Sequence, residues 1–178
     1  MNEINFLEQM NLQTQLTSVL DTNQYTSQFG LVLSEDDARL LLAERQNTLK
    51  EQKRIEFGAT ILPRLIYEFC DSAYIRQEDY AETLIQLQDI FFLYKNEMLD
   101  EITDDELLHF MKEQFETVCY GDLDYLSGTC LELFAQAIRA GYQGYQFTDG
   151  YGAYRQFDKV PRWDRELYLE TLNELCGR

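Results

Sequence analysis

QEDYAETLIQLQDIFFLYKNEM, residues 77–98, decides how the whole chain is read. Tyr80, Leu84, Leu87, Phe91, Tyr94 and Met98 recur at alternating steps of four and three, which keeps side chains on one face of an α-helix. Ile85, Ile90, Phe92 and Leu93 widen that stripe to most of the circumference. A helix apolar nearly all round belongs inside a protein, so other elements must cover it. The stretch predicts a helical domain with this helix at its centre.

The flanking sequence supplies the cover. Toward the N-terminus, residues 3–20 predict a first helix carrying Ile4, Leu7, Leu12, Leu16 and Val19. Residues 21–27 are polar and loop-like, and residues 29–33 suggest a short single strand. Ser34 is a good N-cap with acids in the turn after it. Ala38, Leu41, Leu42, Thr48, Leu49, Gln52 and Ile55 then mark one face of a helix ending near Gly58. Thr60 can cap the next helix, whose first turn accommodates Pro63 and which ends near Cys70.

Toward the C-terminus, Thr103 and Glu106 form a capping box. The helix they open carries Leu107, Met111, Phe115 and Val118 and ends at Gly121. The following helix carries Leu123, Leu126, Cys130, Phe134, Ala137 and Ile138, with Gly141 as its stop. Its apolar face stays in phase across Gly128, a residue that costs about 1 kcal/mol relative to Ala inside a helix, so a close helix crossing is expected there. A last helix is expected from about residue 163 to 176.

Between these helices lies GYQGYQFTDGYGAYRQFDKVPRWDREL, residues 141–167. Asp149 and Gly150 are a strong two-residue hairpin signal, which would put Tyr145, Phe147 and Tyr154 on one face. The expected fold is therefore mostly α. It is a single acidic domain over residues 1–178, a bundle of six or seven helices with one short β-hairpin before the last helix. Residues 141–162 form a turn-rich aromatic arm.

The net charge of −17 argues against nucleic acid, whose binding rests on Lys and Arg neutralising phosphates, and against anionic membrane surfaces. Residues 1–138 hold nine Lys or Arg against 26 Asp or Glu; residues 139–165 hold five against three. The aromatic arm is thus the one locally basic stretch. MNEINFLEQM carries no secretory signal pattern, and the most apolar window is too short for a bilayer, so a cytoplasmic protein is expected.

Few chemistries fit. Cys70, Cys119, Cys130 and Cys176 have no zinc spacing and read as structural thiols. His109 is the single histidine, and Cys119 lies about 15 Å further along the same expected helix, too far for a dyad. Asp105, His109 and Glu113 are spaced i, i+4, i+8, a row that could hold a metal with help from a second helix. An outward histidine paired with acids explains the same row. Residues 97–106 hold six acids in ten but lack the EF-hand pattern, so they read as a polar connection. There is no phosphate-binding loop. No cofactor is expected. Tyr145, Phe147, Tyr151, Tyr154, Arg155 and Trp163 are residue types enriched at protein interfaces, and packing of the arm on its own helices is the simpler account.

RIEFG (54–58), FCDSAYI (69–75), IFFLYKNE (90–97) and DDEL (104–107) resemble an uncharacterised bacterial family known only as a domain of unknown function. That resemblance implies a bacterial cytosolic protein and no activity. The leading expectation is a non-enzymatic intracellular interaction or regulatory protein that uses the arm and an acidic helical face. Its partner would be another protein or a second copy, with a basic partner favoured by complementarity. The alternatives are an enzyme, metal-dependent or otherwise, using Asp105, His109 and Glu113, and an acidic mimic of nucleic acid.

Overall fold

The computed structural model describes residues 3–56, 60–142 and 165–177. The described residues are mostly helical and include no β-strand. The expected hairpin around Asp149 and Gly150 lies outside the described residues. Backbone contacts divide the chain into two compact units, Met1–Phe92 and Leu93–Arg178. No helix among the described residues is long and apolar enough to cross a membrane.

The first unit contains α1 (Glu3–Asp21), the single turn α2 (Asn23–Thr26), α3 (Glu35–Glu51), α4 (Leu62–Phe69) and most of α5 (Tyr80–Glu97). Helix α1 packs on α3 and α4. Leu16 and Val19 of α1, Leu41 and Leu42 of α3, and Leu65 and Ile66 of α4 are all buried. Ser34 caps α3 as expected: its hydroxyl accepts from the Asp37 N–H at 3.0 Å, and the Asp37 carboxylate accepts from the Ser34 N–H. The Thr60 hydroxyl accepts from the Leu62 N–H at 3.3 Å at the start of α4, where Pro63 loses no helical bond.

Helix α3 stops earlier than its apolar pattern suggests. Lys53 turns left-handed (φ 54°), the Arg54 N–H donates to the Leu49 carbonyl at 2.8 Å, and the Lys53 N–H donates to the Lys50 carbonyl at 3.2 Å. These are the two bonds of a Schellman stop, here with lysine in place of glycine. Ile55 therefore leaves the helix and is 76% exposed.

Residues 21–33 depart further from expectation. The polar loop is α2 followed by a 3-10 turn, Ser27–Phe29, closed by Gly30 at φ 77°. Leu31 and Leu33 are buried and Val32 points outward, which is the alternation that suggested a strand. No strand among the described residues pairs with it. Carboxamide side chains take a strand's place. Asn23 donates to the Leu33 carbonyl and accepts from the Leu33 N–H, both at 2.8 Å. Gln77 does the same for Val32, at 2.9 Å and 2.8 Å. An amide side chain offers the donor and acceptor of a peptide group, so the segment's hydrogen bonds are met without a sheet.

Helix α5 is buried as its composition demands. In the first unit the Thr48 hydroxyl donates to the Asp89 carboxylate, which ties α3 to α5. Gln88 is fully buried, and neither its amide nitrogen nor its amide oxygen has a hydrogen-bond partner among the described residues.

The second unit contains the end of α5, α6 (Asp104–Thr117), the single turn α7 (Leu123–Tyr125), a π-helical segment Leu126–Leu131, α8 (Glu132–Arg139) and α9 (Arg165–Cys176). The Thr103–Glu106 capping box is present: the Thr103 N–H donates to Glu106 Oε2 at 2.9 Å, and the Glu106 N–H donates to the Thr103 hydroxyl at 3.3 Å. Val118 lies past the end of α6 and is exposed, contrary to the apolar pattern. Gly128 sits in the π-helical segment, and a Cβ there would meet nothing within 4 Å. Among the described residues, the expected close crossing at Gly128 is absent. A wider turn keeps Leu126, Cys130 and Leu131 buried instead, and the Tyr94 hydroxyl donates to the Ser127 carbonyl within it.

An aromatic cluster closes this unit. Phe110 and Phe134 stack with ring centres 3.7 Å apart, and Tyr168 stands edge-on to both at 6.0 and 5.8 Å. Tyr142 completes it at 5.6 Å from Tyr168. Tyr168 is the buried residue of α9, so this ring is the anchor of that helix.

Three measurements test this account. Gln88→Met should remove an unmet buried amide at nearly constant volume and stabilise the fold by about 1–2 kcal/mol in urea unfolding; an unchanged or lower midpoint would show that the amide is satisfied. Asn23→Ala should cost more stability than Gln77→Ala, because the Asn23 bonds are partly buried and the Gln77 bonds are exposed; equal costs would refute the distinction. The third test is pH. Burial pushes the Tyr80 and Tyr168 hydroxyls from 10.0 up to about 12, and the Cys119 thiol from 9.0 up to about 12. The unfolded chain releases these protons first, so stability should fall as pH rises from about 9 to about 12. Tyr168→Phe keeps the ring and removes one titration. Its thermal midpoint should decline less steeply above pH 10, and an identical slope would contradict the assignment.

Candidate functional site

Tyr145, Phe147, Tyr151, Tyr154, Arg155 and Trp163 all lie outside the described residues. Asp105, His109 and Glu113 run along α6, with Asp105 exposed and the other two half-buried. Among the described residues, no three His, Cys, Asp or Glu side chains are grouped so that they could hold a metal ion.

The acid-rich run at residues 97–106 has a structural task. Its carboxylates and backbone surround Lys95, whose ammonium is almost fully buried. Lys95 Nζ lies 3.0 Å from Asp104 Oδ1 and 3.7 Å from Asp100 Oδ1, and it donates to the Ile102 carbonyl at 2.6 Å. A buried ammonium demands such partners, and this accounts for acids at those positions. Arg139 holds the other end of the run, donating to the Glu97 carbonyl at 2.9 Å.

In the first unit a polar hollow of about 560 Å³ lies beside the end of α3, lined by Arg45, Lys50, Arg54 and Glu56 among others. Arg45 is buried and donates through Nε and Nη2 to Glu56 Oε1, at 3.1 and 2.8 Å. The same oxygen accepts from the Ile61 N–H at 3.1 Å. Arg45 and Glu56 thus pin the connection to the start of α4. Their pairing serves the fold.

A different surface of the first unit is left uncovered. Only Gln15, Leu16 and Val19 of α1 are buried. Phe6, Leu7 and Met10 lie around the other side of the helix and are exposed, Leu7 by 65% and Met10 by 54%. Further along that side, Thr14, Thr17 and Ser18 line a groove of about 680 Å³ with Pro63 and Tyr67 of α4. Tyr67 is half exposed and continues the surface: Tyr25 meets it edge-on at 5.8 Å and meets Phe29 at 5.7 Å. The result is an open run of apolar and uncharged polar side chains, with Asp21 at its edge, that ends in three exposed aromatic rings.

Sequence reasoning missed this surface, although a signal was present. Residues 9–20 contain no Asp, Glu, Lys or Arg, in a chain that is 26% charged. The cysteines also hold more than spacing suggests. Cys70, Cys119 and Cys130 are buried and Cys176 is exposed, and Cys119 and Cys130 touch through their sulfurs.

No curated protein and no solved structure matches the chain. A family model matches residues 18–144. The chain belongs to DUF6323, a family of unknown function.

Proposed function

We propose that the chain is an intracellular protein-interaction component whose first unit docks an apolar segment of a partner protein along the outer side of α1. One observation carries the reading: an uncharged helical stretch with exposed Met10, preceded by exposed Leu7, adjoins the exposed rings of Tyr67, Tyr25 and Phe29. Contiguous apolar surface of this kind marks interaction sites, and half-exposed tyrosines supply contact area at low entropic cost. Glu8 and Asp21 bracket the uncharged stretch, and the chain as a whole carries a charge of −17. A partner with apolar anchors and basic flanks complements that field. Two copies would bring chains of charge −17 together, which opposes self-association. Free cysteines suit a reducing compartment.

The test is affinity capture from the source cell's lysate, comparing the intact chain with a Met10→Ser, Tyr67→Ser variant of unchanged circular dichroism. The expected result is a stoichiometric partner recovered by the intact chain and depleted at least tenfold by the variant. Equal recovery by both proteins would move the docking surface elsewhere. Sedimentation velocity on the purified chain should give a monomer, and a dimer that dissociates in the variant would replace the partner with a second copy.

A further inference from the structure

Cys119 follows the C-terminal end of α6, and Cys130 lies in the π-helical segment eleven residues later. Their sulfurs are 3.5 Å apart, and each residue is 6% exposed. Two buried cysteines that served only as small apolar side chains would have no need to meet sulfur to sulfur. The chain between them first reverses through left-handed backbone at Tyr120 (φ 48°) and Gly121 (φ 85°), which delivers Cys119 to Cys130. Cys130 itself sits in a stretch whose helix widens, and single π turns recur at functional sites.

We propose that Cys119 and Cys130 are a reversible dithiol–disulfide pair, converted by exchange with small-molecule disulfides. A disulfide bond is about 2.05 Å long, so sulfurs already in contact need only a small side-chain rotation to bond. The remaining thiols are placed differently: Cys70 belongs to the first unit, and Cys176 is exposed at the end of α9.

The exchange balances in two steps. The Cys130 thiolate attacks one sulfur of the reagent RSSR, forming a mixed disulfide and releasing RS⁻. The Cys119 thiolate then attacks the Cys130 sulfur and expels the second RS⁻. Both thiol protons end on the two released thiolates, and the two electrons leave with them as 2 RSH. Burial raises the pKa of both thiols; the contact between them offsets part of that rise at Cys130 and adds to it at Cys119, so Cys130 leads. Burial of both sulfurs makes the reaction slow and dependent on local opening of the turn.

The experiment equilibrates the full-length protein with mixtures of reduced and oxidised glutathione. The samples are then acid-quenched, denatured and alkylated, and the free thiols are counted by mass. The expected result is a fall from four alkylated cysteines to two, with a single cross-linked peptide pair joining Cys119 and Cys130, reversed by excess dithiothreitol. Cys70→Ser and Cys176→Ser should leave the bridge intact, and Cys119→Ser should abolish it. Four free thiols at the most oxidising ratio would overturn the proposal, as would a bridge involving Cys70 or Cys176, or glutathione adducts alone. The wild-type count and mapping decide the matter even if a variant fails to fold.

Discussion

Helix α5 must be buried along nearly its whole length, and the rest of the structure follows from that constraint. A helix apolar on most sides loses several kcal/mol if left in water, since each large apolar side chain contributes about 1.5–3 kcal/mol on burial. Residues 80–92 belong to the first unit and residues 93–97 to the second, so each unit draws part of its core from one helix. The polar groups along α5 bring their own demands. Asp89 receives the Thr48 hydroxyl, Tyr94 reaches the Ser127 carbonyl, and Lys95 collects Asp100, Asp104 and the Ile102 carbonyl. Gln88 is an exception, an interior amide without partners among the described residues.

The connections between helices obey the same polar accounting. Where glycine would be the easy residue, Lys53, Leu99, Asp100 and Tyr120 take left-handed backbone. Each such position costs roughly 1–2 kcal/mol for a side chain with a Cβ. They occur where α3, α5 and α6 stop, and the carbonyls of the last turns accept from the residues that turn back. The extended segment Leu31 to Leu33 solves its problem with Asn23 and Gln77 rather than a neighbouring strand.

The two places proposed to serve function differ in kind. The outer side of α1 carries no charged residue between Glu8 and Asp21, and Asp21 lies at the edge of its groove, so an apolar segment can approach the middle of that side while a basic flank meets the carboxylate. The Cys119–Cys130 contact lies inside the second unit and is a matter of distance. A redox step there would join the C-terminal end of α6 to the π-helical segment, close to the aromatic ring set that anchors α9.

The sequence by itself determined the helical class, the long helices and the caps at Ser34 and Thr103, because 3.6-residue periodicity and capping are local properties. It also marked α5 as an interior helix. Other features rested on partners distant in sequence. Ile55 and Val118 continue an apolar pattern past the point where the backbone turns away, and residues 31–33 alternate like a strand without a strand to join among the described residues. Gly128 kept its apolar phase through a widened turn that no residue type announces. The acids at 100 and 104 are explained only by a lysine several residues earlier. Whether α1 covers both its sides, and whether two cysteines eleven apart touch, depended on how helices meet. Such meetings are set by side-chain packing across the fold, which spacing along one chain does not encode.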